Sequence, residues 1–158
     1  MTFTFRLSIC LIIIAGLTGC VAGGGHPRRD AFSTLRPTYG IDLATRVARD
    51  QVLGDGDLSV LKKIATDGDQ NVLFCLLSNR NVPTLFQQDL IVRASGWGLQ
   101  GIGYNKKLYT DPEVKQAVSQ KTDGVSKSIY ALLWTDNTLG FPQETNDYRN
   151  ELESKETP

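Results

Sequence analysis

Lys62-Lys63-Ile64-Ala65-Thr66-Asp67-Gly68-Asp69-Gln70-Asn71-Val72-Leu73-Phe74-Cys75-Leu76-Leu77-Ser78 is the stretch on which the fold turns. Two apolar-bearing runs flank a Gly- and Asp-rich punctuation, and such clusters mark turns. With residues 62–66 and 71–78 read as strands, Asp67-Gly68-Asp69-Gln70 joins them as a hairpin. The second run is almost continuously apolar, which suits a central strand covered on both faces.

Working outward, residues 41–53 read as a helix. Leu43, Ala44, Val47, Ala48 and Val52 recur at helical spacing, with Asp42, Arg46, Arg49 and Asp50 on the other face. Gly54-Asp55-Gly56-Asp57 stops it. Residues 83–95 form a second helix, with Pro83 in its first turn, a stripe of Leu85, Phe86, Leu90, Ile91 and Ala94, and Gly96 to end it. Residues 99–108 read as a third strand in which Gly98, Gly101 and Gly103 mark bulges. Asp111-Pro112-Glu113 opens a third helix that runs to about Lys121. Asp123-Gly124 turns the chain into a last strand over residues 125–134. The order predicts an α+β fold: a small sandwich with helices packed on one face of a mostly antiparallel sheet.

The N-terminal segment sets the location. Residues 7–16 are an apolar run preceded by a single charge, Arg6, and followed by small residues, the marks of a secretory signal. Ten residues fall short of the roughly 20 that a membrane-spanning helix needs. Leu17-Thr18-Gly19-Cys20 resembles the lipobox of bacterial lipoproteins. That resemblance implies cleavage before Cys20, a thioether-linked diacylglycerol on its sulfur and an acyl chain such as palmitate on the new amino terminus. Val21, rather than Asp, follows the cysteine. In enterobacterial lipoproteins that implies sorting to the outer membrane, facing the periplasm. The expected organisation is a signal peptide over 1–19, a flexible tether over 20–38 carrying Gly23-Gly24-Gly25, one domain over 39–140 and a polar, acidic tail over 141–158. Arg28 and Arg29 in that tether read as solvated charges; the alternative is contact with lipid phosphates close to the anchor.

Without residues 1–19 the chain has sixteen basic and seventeen acidic residues, so it lacks the basic excess of a nucleic-acid binder. Of the three cysteines, Cys10 leaves with the signal and Cys20 takes lipid. Cys75 is then alone, which excludes an intramolecular disulfide and suits a buried small hydrophobe. His26 is the single histidine and lies in the expected tether, so a Ser-His-Asp or Cys-His catalytic group on the domain is not available. Gly96-Trp97-Gly98-Leu99-Gln100-Gly101 fits a dinucleotide-binding string. It follows an expected helix and enters an expected strand, the reverse of what that site needs. Asp67, Asp69 and Asn71 imitate the start of a calcium loop, but Val72 and Ser78 stand where Gly and Glu are required. No cofactor, metal or enzyme activity is expected.

The residues suited to contact are aromatic and basic. Trp97, Tyr104, Tyr109 and Trp134 have the amphipathic rings that favour interfaces, and Lys106-Lys107 lies between two of them. Tyr130 is a further aromatic in the last element.

Residues 42–108 resemble the BON domain, an αββαβ module of exported and lipid-anchored envelope proteins. The likeness lies in a helix ending near Leu53, Thr66-Asp67-Gly68 before Asn71-Val72-Leu73-Phe74, a helix over 84–95, and Gly-rich residues before Tyr104-Asn105. Thr122-Asp123-Gly124-Val125 leading into Ile129-Tyr130 is similar to the close of a second, truncated repeat. The resemblance implies binding to phospholipid or envelope partners. The expected function is therefore that of a lipid-anchored, non-enzymatic envelope protein that binds membrane lipids or envelope proteins. The alternative is a structural or accessory lipoprotein of a conjugation- or secretion-type transport complex.

Overall fold

In the computed structural model, which describes residues 26–135, the stretch at 62–78 is part of two helices. The elements are α1 (Pro27–Ala48), α2 (Asp55–Thr66), α3 (Gln70–Ser78), α4 (Thr84–Arg93), a 3₁₀ segment (Trp97–Tyr104), α5 (Lys106–Tyr109), α6 (Pro112–Ser119) and α7 (Gly124–Trp134). Helices hold 76% of the described residues and no strand occurs among them, so the α+β sandwich gives way to an all-α architecture.

Each expected strand fails for a local reason. Asp67-Gly68-Asp69-Gln70 separates two helices. The Asp67 amide closes α2 on the Lys63 carbonyl at 2.8 Å, and Gly68 reverses the chain at φ 114. Asp69 then caps α3, its carboxylate accepting from the Val72 amide at 2.9 Å. Residues 72–77 are apolar on every side because α3 is enclosed on every side, and so short a run looks the same as a buried strand. Residues 99–108 divide between the 3₁₀ segment and α5. Residues 125–134 form α7, capped by Asp123, whose carboxylate accepts from the Ser126 amide at 2.8 Å. The helices expected over 83–95 and from 111 onward are present as α4 and α6. Leu85 is not part of the α4 core stripe; it is 81% exposed.

The N-terminal boundary also moves. Residues 1–25 and 136–158, which carry the signal, the start of the tether and the tail, lie outside the described residues. From Pro27 the chain is helical, and Ala31 and Leu35 are fully buried, so residues 27–38 belong to the domain. Gly40, at φ 85 and ψ 165, breaks α1 into two arms. A side chain at that φ is strained, which makes glycine the fitting residue. The arms fold back on one another, since Arg28 near the start donates to the Ala48 carbonyl at its end, 3.2 Å away.

α1, α2 and the 3₁₀ segment pack around α3, while α4, α6 and α7 complete the outer layer. The closest approach is between α3 and the 3₁₀ segment. A Cβ on Gly98 would lie 2.6 Å from the Gln70 carbonyl oxygen, and one on Gly101 would run into the Phe74 carbonyl. A 3₁₀ helix repeats every three residues, so Gly98 and Gly101 share one face. The glycine string that imitates a nucleotide motif thus lets two backbones touch. Leu73, Leu76, Leu77, Leu99, Ile102 and Leu108 fill the interior around it, each contributing up to about 1.5–3 kcal/mol by burial.

Candidate functional site

The C-terminal end of α3 is where distant parts of the chain converge. The last carbonyls of a helix have no partner within it and must find donors elsewhere. Here the donors are side chains. Gln87 of α4, 1% exposed, sends its amide nitrogen to the carbonyls of Leu76 (2.7 Å), Leu77 (3.3 Å) and Asn79 (2.8 Å). Asn105, equally buried, donates to the Leu77 carbonyl at 3.2 Å and to the Gln87 side-chain oxygen at 3.3 Å. Arg28 donates to the Ser78 hydroxyl at 3.3 Å. Asn79 and Asn81 reach back to the carbonyls of Gln51 (3.0 Å) and Asp50 (2.6 Å).

Arg28 is not the solvated charge expected of a tether. Its side chain is 13% exposed and pairs with Asp50 at 2.6 Å. Asp50 sits at φ 53, a backbone region that Asp tolerates better than most residues. Neither Arg28 nor Asp50 stands out in the sequence, because the pair spans the full length of α1.

Exposed cations stand next to several residues of this polar hub in the sequence. Four of the segments that feed the hub carry a basic residue one or two positions away: Arg29 beside Arg28, Arg49 beside Asp50, Arg80 between Asn79 and Asn81, and Lys106 and Lys107 after Asn105; the Gln87 segment carries the acid Asp89 instead. All five cations are exposed. Val52, in the same turn as Gln51, is 72% exposed. The nearest acids along the chain besides the paired Asp50 are Asp30, half-buried in the first turn of α1, Asp89, which pairs with Lys62 and Arg93, Asp111, which caps α6, and exposed Asp55, opening α2. Lys106 and Lys107, singled out by sequence, are therefore one part of a wider basic end.

The aromatic residues named with them divide into two clusters. Trp97 and Tyr104, at the two ends of the 3₁₀ segment, both pack on Phe74 of α3, with ring centroids 6.4 and 5.2 Å away. Tyr109 and Trp134 stack nearly parallel, 5.8 Å apart at 10°, and Tyr130 leans on Trp134 at 5.4 Å. The polar tips of this second pair are engaged inside the fold. The Tyr109 hydroxyl donates to the Leu133 carbonyl at 3.0 Å, and the Trp134 indole N–H donates to the Tyr109 carbonyl at 3.1 Å. They clasp α5 to α7, so their first role is structural.

The buried thiol and the single histidine are both shifted by their surroundings. Burial pushes the Cys75 thiol up to about 12, far from the thiolate that reacts. Burial, reinforced by Arg28, lowers the pKa of His26 at the start of α1. Among the described residues, no three His, Cys, Asp or Glu side chains gather as metal ligands. No helix of the described residues is long and apolar enough to cross a membrane. No protein-family model, curated protein or solved structure matches this chain.

Proposed function

We propose that the chain is a lipid-anchored, non-enzymatic protein of the bacterial cell envelope, attached through Cys20 and acting by contact with membrane lipids or envelope proteins. The observation that carries this reading is Leu17-Thr18-Gly19-Cys20 directly after the apolar run of residues 7–16. The burial of Cys75, with its thiol pushed up to about 12, argues against its use as a nucleophile and supports a binding role. The exposed basic residues offer a contact surface for anionic groups. By its likeness to enterobacterial lipoproteins, Val21 favours the periplasmic face of the outer membrane. Two or more acyl chains hold a protein firmly, since each buried CH₂ contributes about 0.8 kcal/mol.

The test is mass spectrometry of the native amino terminus together with the Cys20→Ala variant. The expected result is an acylated Cys20 as first residue, and an unprocessed precursor from the variant. An unmodified thiol at that position, or normal maturation of the variant to a soluble protein, refutes the anchor.

A further inference from the structure

We propose that the basic end of the domain rests on the bilayer that holds the anchor, with Arg29, Arg49, Lys106 and Lys107 against lipid phosphates and Val52 entering the headgroup layer. The inference builds on the lipid-anchored reading and adds the surface and its occupant. Two independent observations carry it.

The first is the length of chain between anchor and fold. Helix α1 begins at Pro27, seven residues after Cys20. Seven residues span at most about 25 Å when fully extended. A domain of this size is about 30 Å or more across. The chain enters the domain at the start of α1, and Arg28 ties that point to the C-terminal end of α3. The connection is too short for the domain to turn over and present its opposite end to the membrane.

The second is charge. The segments that meet at the C-terminal end of α3 carry Arg29, Arg49, Lys106 and Lys107 as exposed cations, with Arg80 beside them. They come from positions 29 to 107 of the sequence, and each lies within two positions of a residue whose hydrogen bonds tie it to the region where the chain enters. Basic residues next to a membrane are drawn to anionic headgroups within about a Debye length, about 10 Å at 0.1 M salt. Val52, exposed in the same turn, is an apolar side chain suited to that layer. The far end is marked by the Gly40 break, about 20 Å along the first arm of α1. There Ile41 is 56% exposed.

The experiment uses the full-length protein, purified with its native anchor and reconstituted into phosphatidylethanolamine–phosphatidylglycerol vesicles. A fluorophore is placed on Val52→Cys or, separately, on Ile41→Cys, and is quenched by headgroup-labelled lipid. The expected result is quenching at position 52 about threefold or more above that at 41, weakened by salt as screening requires. Reversing Arg29, Arg49, Lys106 and Lys107 to Glu lowers quenching at 52, with circular dichroism reporting the fold. Because all four side chains are exposed, helicity is expected to be retained; the salt series on the unreversed protein probes the same contact independently. Equal quenching at the two positions, stronger quenching at 41, or insensitivity to salt overturns the inference. Vesicle flotation separates the two claims. Protein that floats without preferential quenching at 52 keeps its anchor and loses this orientation, while protein that fails to float loses both.

Discussion

Gln87→Leu tests whether the end of α3 depends on side-chain donors. Leucine keeps much of the shape of glutamine but removes the nitrogen that serves the carbonyls of Leu76, Leu77 and Asn79. Leu77 retains Asn105 as a donor, and Asn79 retains the Val82 amide at 3.3 Å. The loss therefore falls mainly on Leu76, and Asn105 also loses the acceptor it has in Gln87. A buried polar group left without a partner costs about 1–3 kcal/mol, so one full loss and one partial loss come to about 2–4 kcal/mol. Against a typical stability of about 5–15 kcal/mol that is a large fraction. Urea melts of the wild type and variant, compared at equal slope, measure it directly, and the midpoint temperature should fall by about 10 °C. A cycle with Asn105→Ser, which keeps a capping hydroxyl, should show coupling of about 1 kcal/mol. A change below about 0.5 kcal/mol for Gln87→Leu, the range of an ordinary surface substitution, would refute the reasoning.

Two further outcomes follow from the packing. Gly101→Ala places a methyl group against the Phe74 carbonyl and Leu77; it should destabilise by about 1–3 kcal/mol as overpacking does, whereas Gly124→Ala, which meets nothing within 4 Å, should change stability little on the same melts. The Cys75 thiol, pushed up to about 12 by burial, should resist a thiol reagent at pH 8 in the native protein and react at once in denaturant. Raising the pH toward that value increases the thiolate fraction, so native reactivity should rise with pH; rapid labelling of the folded protein at pH 8 would show that Cys75 is reachable.

The helices legible in the sequence are marked by punctuation as well as periodicity. Asp111-Pro112 marks the start of α6, and the Asp111 carboxylate does accept from the amides of Glu113 and Val114. The same signal stands at Asp69 and Asp123 but is outweighed, at Asp69 by a following block of apolar residues without a visible period and at both by an adjoining glycine that imitates a hairpin turn. An apolar residue at every position reports burial on all sides and leaves helix and strand unresolved. The basic end is half legible: Lys106 and Lys107 stand together in the chain, whereas Arg29, Arg49 and Arg80 join them only through tertiary structure. The hub is not legible, because Arg28 and Ser78 lie fifty positions apart and Gln87 and Asn105 eighteen. Among the aromatic residues, the sequence identifies amphipathic rings correctly by type, but their polar atoms are already satisfied within the fold at Tyr109 and Trp134.

The way α3 ends has a bearing on how the chain assembles. Its final turn is completed by Arg28, near the start of the described chain, and by Gln87 and Asn105, both later in the chain than the helix, so a nascent polypeptide that has emerged only as far as Ser78 has the helix but not its terminus. Closing that turn must await Asn105, by which time most of the domain has been made. Assembly of this kind couples remote segments in one step and leaves little room for a stable half.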